Sequence, residues 1–183
     1  MSQSINCTPS KIIQWFTDSE KCLMHSNITP VEVLQINLSN DNIDELIEKG
    51  KKILMDSLQL KIESLKSKIK PGYAQHISVD EGWYQIVLDC DKELTAIDPN
   101  YRIFQIKEKF GGLRFYFEPS NLHDAVKTNL MHQVIRKYEV IASQTCEATG
   151  RPGVLMKSPT GYLRTLNPQW ALSSIVYQNY KAV

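Results

Sequence analysis

The sequence YRIFQIKEKFGGLRFYFEPS, residues 101–120, has the alternation of a β-hairpin. Aromatic and β-branched residues fill two runs on either side of the glycine pair Gly111-Gly112, which tolerates the positive φ angles of a tight turn. With these glycines as the central turn residues, Phe110 faces Leu113 across the two strands. The rest of the chain has weaker β signals, and helical patterns lie on both sides. The stretch therefore predicts one dominant hairpin packed by helices.

The two faces of this hairpin differ in chemistry. One face is apolar and calls for a helix against it; it contains Phe104, Ile106, Phe110, Leu113, Phe115 and Phe117. The other face is basic and carries an aromatic ring, which suits phosphates, single-stranded nucleic acid or an acidic protein surface. We predict that a partner binds this second face through Lys107, Lys109, Arg114 and Tyr116. The alternative is an ordinary solvated sheet face.

Glu108 is the anomaly of the apolar face. Buried carboxylates are rare unless they are paired or hydrogen-bonded. One interpretation is an acid at a functional site, with Asp89 or Asp91 on the preceding helix as partner. The other, which we favour, is a structural carboxylate held by an arginine or by hydrogen bonds. Its face depends on the turn, because a three-residue loop would shift the register and point it outward.

Helical periodicity dominates the first half of the chain. Helix-start signals precede a helix from Pro9 to Leu23, a short helix or turn after Thr29-Pro30, and a long helix capped by Ser39-Asn40-Asp41. The apolar stripe of the long helix recurs every three or four residues, and we predict core packing for Ile43, Ile47, Leu54, Leu58, Ile62, Leu65 and Ile69.

Further elements follow the long helix. Gly82-Trp83 opens an amphipathic helix, and Asp98-Pro99-Asn100 stops it. Its apolar face carries the structural core residue Trp83 together with Ile86, Val87, Cys90 and Leu94. The helix after the hairpin starts at Pro119-Ser120-Asn121, and its predicted buried stripe is Leu122, Val126, Leu130, Val134, Tyr138 and Ile141. Short strands at Val154–Met156 and Tyr162–Thr165 precede a last helix that Asn167-Pro168 caps.

These elements predict an α+β fold with a helical N-terminal half. We expect a helical region at residues 1–75, a helix–hairpin–helix core at 76–145 and a C-terminal tail at 146–183. The tail and the core are expected to form one compact unit. Hydrophobic residues make up 42% of the 183 residues, enough for a real core. The net charge of +1 provides no global field for nucleic acid or acidic membranes.

The cysteines and the N-terminus favour a cytoplasmic protein. Cys7, Cys22, Cys90 and Cys146 are scattered, which is typical of free thiols in a reducing compartment. The first residues, MSQSINCTPS, lack the basic start and apolar core of a secretory signal. No apolar run approaches the roughly 20 residues of a membrane helix, so we expect no membrane partner.

Three strings together resemble a family of small, largely uncharacterised proteins of bacteria and their phages. They are GWYQIVLDCDKELTAIDPNY, KEKFGGLRFYF and, after a long helix, CEATGRPG with GYLRTL, and they cover Gly82 to Ala171. In that family the long helix runs into a CxxCG knuckle, and a second ligand pair follows GWLRTL. The resemblance therefore implies a tail shaped like a treble-clef zinc module.

This chain departs from the family pattern at the metal ligands. Cys146 is present, but Thr149 stands at the second cysteine, Asn167 at the first position of the second pair and Trp170 at its last. A structural zinc site needs four cysteine or histidine ligands, and one remains. We predict a degenerate module without metal or other cofactor, in which Asn167 caps the last helix and Trp170 fills the space of the ion.

No catalytic constellation emerges from the sequence, so we expect a protein that is not an enzyme. The first hypothesis is a protein-binding protein, such as an immunity protein or an inhibitor of bacterial or phage origin, that masks a toxin or host enzyme. The charged side of the long helix is its alternative binding surface. The second hypothesis is a nucleic-acid-associated protein derived from a zinc module. The third is a hydrolase or nuclease that uses Glu108.

Overall fold

The computed structural model describes residues 43–183, and the elements expected at Pro9–Leu23 and after Thr29 lie outside them. The chain divides into units 1–47 and 48–183, and the second holds all that follows except the first turn of one helix. The helices are α1 (Ile43–Leu65), α2 (Tyr84–Ile97), α3 (Ala125–Ser143) and α4 (Pro168–Ser173). The strands are β1 (Ile77–Ser78), β2 (Arg102–Lys109), β3 (Gly112–Glu118), β4 (Val154–Lys157), β5 (Leu163–Leu166) and β6 (Lys181–Ala182).

These elements form two three-stranded sheets, which confirms the predicted α+β class. The first has the order β1-β2-β3, with β1 parallel to β2 and the β2–β3 hairpin antiparallel. The second has the order β5-β4-β6 and is antiparallel throughout. None of the helices in this described part of the chain combines the length and apolar content that crossing a bilayer requires.

The hairpin turn lies one residue earlier than the sequence predicted. Lys109 pairs with Gly112, so the central turn residues are Phe110 and Gly111, with φ angles of 57° and 76°. The predicted Phe110–Leu113 pair is therefore wrong, because Leu113 faces Glu108 and the Phe110 ring is exposed. The physical reason is tertiary: the Glu108 carboxylate accepts the Gly111 N–H at 2.6 Å, and the Gly111 carbonyl is bonded to the second sheet.

A β-bulge changes the predicted faces near the start of β2. The register slips between Ile103 and Gln105, so Ile103 is buried in the core and Phe104 is not. Phe104 instead stacks against Tyr73, with ring centroids 4.8 Å apart. The remaining members of the covered face follow the prediction, since Ile106, Leu113 and Phe115 are buried. A bulge adds one unpaired residue to a strand and cannot be read from simple alternation.

The core lies between the hairpin and the helices, and the predicted stripes agree with it unevenly. The stripe of α2 is confirmed, since Trp83, Ile86, Val87, Cys90 and Leu94 are all buried. The stripe of α1 is buried only from Leu58 onward, whereas Ile47 and Leu54 are about half exposed, at 49% and 55%. The prediction of core packing is therefore wrong for Ile47 and Leu54.

The stripe predicted for α3 is rotated by about one residue. The cap is Asp124, whose carboxylate accepts the Lys127 N–H, and the helix begins four residues after Asn121. Its buried residues are Met131, Ile135, Tyr138 and Ala142, whereas Leu122, Val126, Leu130 and Ile141 are exposed. The helix carries two neighbouring apolar rows, and the row that packs on the sheet is the one formed by Met131, Ile135, Tyr138 and Ala142. Periodicity alone does not distinguish the two.

The C-terminal elements form where the sequence placed them and dock against the hairpin turn. Strands β4 and β5 match the two predicted strands, and the Asn167 side chain caps α4 by accepting the Trp170 N–H at 3.0 Å. The Thr165 hydroxyl donates to the Gly111 carbonyl at 2.6 Å. A side chain at Gly111 would collide with Leu155, so the absence of a Cβ lets the turn rest on the second sheet.

Strand β3 is an edge of the first sheet, and Arg114 lies across that edge. The Arg114 Nη1 donates to the carbonyl of Leu113 at 2.8 Å and lies 4.0 Å from the Glu139 carboxylate on α3. The guanidinium also occupies the space that a side chain at Gly112 would fill, because Nη1 is 2.9 Å from the position of such a Cβ. Gly111 therefore permits the turn, and Gly112 leaves room for the Arg114 side chain.

Asp98 joins the end of α2 to the end of the hairpin. Its buried carboxylate accepts the Ser120 N–H and hydroxyl, both at 2.7 Å, and the Asn100 N–H at 3.3 Å. Burial acts to raise the pKa of Asp98, but the hydrogen bonds from Ser120 and Asn100 outweigh it and lower the pKa below its usual value. The charged carboxylate is therefore the form that the fold stabilises.

Replacing Asp98 with alanine should lower the free energy of unfolding by about 1–3 kcal/mol at neutral pH, because three donors lose their acceptor. A lowered folded pKa gives stability that is present above the ordinary aspartate pKa, about 4, and is lost as the pH falls through the folded value. Urea titrations at neutral and acidic pH should thus show the difference from the native chain shrinking in acid. Asp56→Ala, at an exposed position of α1, is the control, and an undiminished difference in acid would contradict the assignment.

Candidate functional site

The uncovered side of the β2–β3 hairpin brings the four predicted partner-binding residues together. Lys107 pairs with Arg114 across the strands, and Tyr116 pairs with Gln105, so all of them lie on one face. Lys109 follows on the same face, two residues beyond Lys107. We call this surface, Lys107, Lys109, Arg114 and Tyr116 with the adjacent Phe110, the hairpin face. That it binds a partner stays a prediction.

Lysine side chains lie over aromatic rings on the hairpin face and beside it. The Lys107 Nζ is 5.8 Å from the centroid of Tyr116, and the Lys109 Nζ is 5.2 Å from that of Phe110. These two rings are 43% and 68% exposed. At the bulge, the Lys70 Nζ is 5.5 Å from the Phe104 ring. Such cation–π pairs hold the rings at the surface in a polar setting, where they remain accessible.

The cations of this region divide into paired and unpaired groups. Lys70 forms an ion pair with Glu118 at 2.8 Å, and Arg114 lies 4.0 Å from Glu139. Lys107 and Lys109 have no acidic partner within 4.0 Å among residues 43–183. The free positive charge of the hairpin face is thus carried by two lysines next to two exposed rings.

A charge cluster around one buried carboxylate, which the sequence did not predict, lies behind the hairpin turn. Glu147 is 1% exposed, and its Oε2 lies 2.8 Å from Nη2 of Arg164 on β5. The same Nη2 contacts the carboxylate of Asp80, which precedes α2. The Glu147 Oε1 accepts the Asp80 N–H at 3.2 Å. The cluster therefore joins the segment before α2, the knuckle after α3 and strand β5.

Burial and unequal numbers of charges perturb the ionisation of this cluster. Burial raises the pKa of Glu147 to about 7, with Arg164 opposing and Asp80 and Glu108 adding to the rise. The pKa of Arg164 is also raised, because the neighbouring carboxylates outweigh its own burial. The only sequence signal was the position of Glu147, directly after Cys146 in the knuckle. A lone Glu in a turn ordinarily predicts a solvated side chain, which is why the cluster was missed.

Hydrogen bonds and apolar packing hold the knuckle at residues 146–153. The Cys146 carbonyl accepts the N–H groups of Thr149 and Gly150, and the Asn167 amide donates to the Pro152 carbonyl at 2.8 Å. Cys146 is buried with Met156, Leu166 and Ala171, and the Trp170 ring packs against this cluster. Residues 43–183 contain no group of three or more His, Cys, Asp or Glu side chains placed to share a metal ion. These residues do not fit a structural zinc ion, and the metal-free state stays a prediction.

The structure separates Glu108 from Asp91, one of the two carboxylates that the third hypothesis offered as its partner. Asp91 accepts hydrogen bonds from Lys68 and Tyr101. Glu108 lies at the far end of β2 from Tyr101, and seven residues of extended chain span about 23 Å. Glu108 is bonded instead to the turn that it precedes. Asp89 accepts a hydrogen bond from Gln85, and its pairing with Glu108 stays a prediction.

A shallow groove of about 430 Å³ lies between α1, α2 and the knuckle. Its apolar wall includes Met55, Leu58, Ile86 and Ile141, and its polar rim includes Glu81. None of these residues was singled out as a site in the sequence.

Comparison with known protein families, curated proteins and solved structures finds no match to this chain.

Proposed function

We propose that this chain is a protein-binding protein without catalytic activity, which acts in the cytoplasm by masking a toxin or enzyme as an immunity protein or inhibitor does. The observation that carries the proposal is the hairpin face, where two lysines that have no acidic partner in the described part of the chain stand beside the exposed rings of Tyr116 and Phe110. Aromatic residues and arginine are the side chains enriched in the energetic centres of protein interfaces. The partner surface that suits this face is acidic.

The charge pattern favours a protein partner over nucleic acid. Proteins that track a nucleic-acid backbone line a groove with several unpaired cations. Here Lys70 and Arg114 lie next to Glu118 and Glu139, which would repel phosphates. The whole chain adds only a net charge of +1. Single-stranded nucleic acid remains the second candidate, because exposed rings on a sheet are also stacking platforms.

Charge reversal at the hairpin face tests the proposal. Affinity capture from the source cells should recover one protein in stoichiometric amount, and Lys107→Glu/Lys109→Glu should weaken its binding at least about tenfold. Lys52→Glu/Lys61→Glu, on the exposed side of α1, makes the same change in charge and should leave binding intact. Loss with the α1 variant alone would move the interface to the long helix. Recovery of no stoichiometric partner would count against a masking role.

A titration against single-stranded DNA and RNA at low salt separates the second candidate from the first. We expect no binding, because the hairpin face has too few free cations to hold a phosphate backbone. Binding that falls steeply with salt and is lost in Lys107→Glu/Arg114→Glu would favour a nucleic-acid-associated protein instead.

A further inference from the structure

The Asp80–Glu147–Arg164 cluster holds more acid than base around Glu147, which is closed to water, whereas the side chains of Asp80 and Arg164 are 46% and 22% exposed. Two carboxylates share one guanidinium nitrogen, and among residues 43–183 the Arg164 Nε has no hydrogen-bond acceptor. With every group ionised, the cluster has one negative charge in excess. Glu147 is the most enclosed of the three, at 1% exposed, so an excess charge is most costly there.

The other groups that face the cluster do not supply the missing positive charge. Glu108 on β2 contributes a further negative charge, and Tyr177, in the turns after α4, places its ring 5.8 Å from the guanidinium carbon of Arg164. One bound proton balances the charge with the least rearrangement. The pKa of Glu147, raised to about 7 first by burial and then by Asp80 and Glu108, agrees with this geometric argument.

The cluster also lies where the C-terminal segment joins the rest of the fold. Glu147 and Arg164 belong to residues 146–183, whereas Asp80 belongs to the core side of the junction. The residue after Arg164 is Thr165, whose hydroxyl bonds the hairpin turn and whose carbonyl accepts the Glu147 N–H at 2.9 Å. A change in the charge of Glu147 therefore acts directly on the contacts that fasten the second sheet.

We propose that Asp80, Glu147 and Arg164 form a proton-linked latch, which fastens residues 146–183 to the core most tightly when Glu147 is neutral. The inference is independent of the partner of the hairpin face. Because the folded pKa lies above the ordinary glutamate value, the stabilisation is complete below that ordinary value and is lost as the pH rises through about 7. The latch is thus closed in mild acid and loosened in mild base.

Amide hydrogen exchange across neutral pH tests the latch. After correction for intrinsic exchange rates, the protection of β4 and β5 should fall relative to that of Cys90 and Leu94 in α2, by up to about tenfold per pH unit near neutrality. Glu147→Gln, which mimics the neutral form, should abolish this fall. Glu63→Gln, at an exposed position of α1, should leave it unchanged.

Asp80→Asn gives a second and opposite readout. Without the competing carboxylate, Glu147 has Arg164 to itself, so its ionisation and the loss of protection should both move to lower pH. Carboxyl ¹³C NMR titration of Glu147 in the native chain measures the same event without any mutation. Titration of Glu147 in the ordinary glutamate range, or an unchanged pH dependence in Glu147→Gln, would overturn the latch.

Discussion

Trp83→Ala is expected to lower the free energy of unfolding by about 3–5 kcal/mol, the usual cost of removing a large aromatic side chain from a core. Trp83 is fully buried, and its Nε1 donates to the Thr145 carbonyl at 2.7 Å. It therefore packs the core and also holds the residues that follow α3 at the entrance to the knuckle. Both contributions are lost together in the alanine variant. Urea denaturation monitored by circular dichroism measures the change.

Trp83→Phe separates packing from hydrogen bonding. Phenylalanine keeps most of the apolar volume but leaves the Thr145 carbonyl without its donor, which should cost about 1–3 kcal/mol. Trp170→Ala, at a half-buried ring near the C-terminus, should be milder than Trp83→Ala. A Trp83→Ala variant as stable as Trp170→Ala would show that this residue is not central to the core.

Gly82→Ala should destabilise the fold by about 1–3 kcal/mol, although it adds only one methyl group. The added Cβ would lie 2.5 Å from the carbonyl oxygens of Cys146 and Glu147 and closer still to the Gly150 nitrogen. All three are backbone atoms of the knuckle, so none can swing away as a side chain would. The knuckle must move as a unit, and the buried Glu147 moves with it.

Gly50→Ala is the matched control because it makes the same chemical change in open space. Among the residues that the structure describes, no heavy atom outside its own helix lies within 4 Å of a Cβ at Gly50, which is an interior position of α1. Alanine there should stabilise the chain by about 0.5–1 kcal/mol through helix propensity. Thermal denaturation of the two variants should give shifts of opposite sign. Equal shifts would contradict the close approach at Gly82.

Local sequence patterns predicted the elements of this fold better than their phases. The apolar face of α2 and the Asn167 cap were predicted correctly because each pattern fits a single arrangement. The α2 sequence has one apolar row, and an asparagine directly before a proline suits the start of a helix. The α3 stripe was not predicted correctly, because two adjacent apolar rows compete and only the shape of the sheet selects one. The turn at Phe110-Gly111 was misplaced by one residue because contacts from Thr165, more than fifty residues away, hold it.

The residues of the candidate site also differ in how well the sequence predicts them. Four of the five residues of the hairpin face could be predicted from alternation. A turn moved by one residue shifts the pairing of the strands by two residues, which leaves each side chain on its predicted face. The exposure of the Phe110 ring could not be predicted, because it depends on Phe110 being a central residue of the turn. Glu147 and Arg164 carry no local signal at all. Each reads as a surface residue in sequence, and only the docking of the knuckle against β5 buries Glu147 and places Arg164 beside it.

Arg114 covers part of the outer edge of strand β3. An uncovered outer strand is a template on which identical chains can zip together into aggregates. The guanidinium that lies across β3, hydrogen-bonded to the Leu113 carbonyl, places charge and bulk where a foreign strand would dock. Arg114 therefore protects the β3 edge against pairing with the same edge of a second copy.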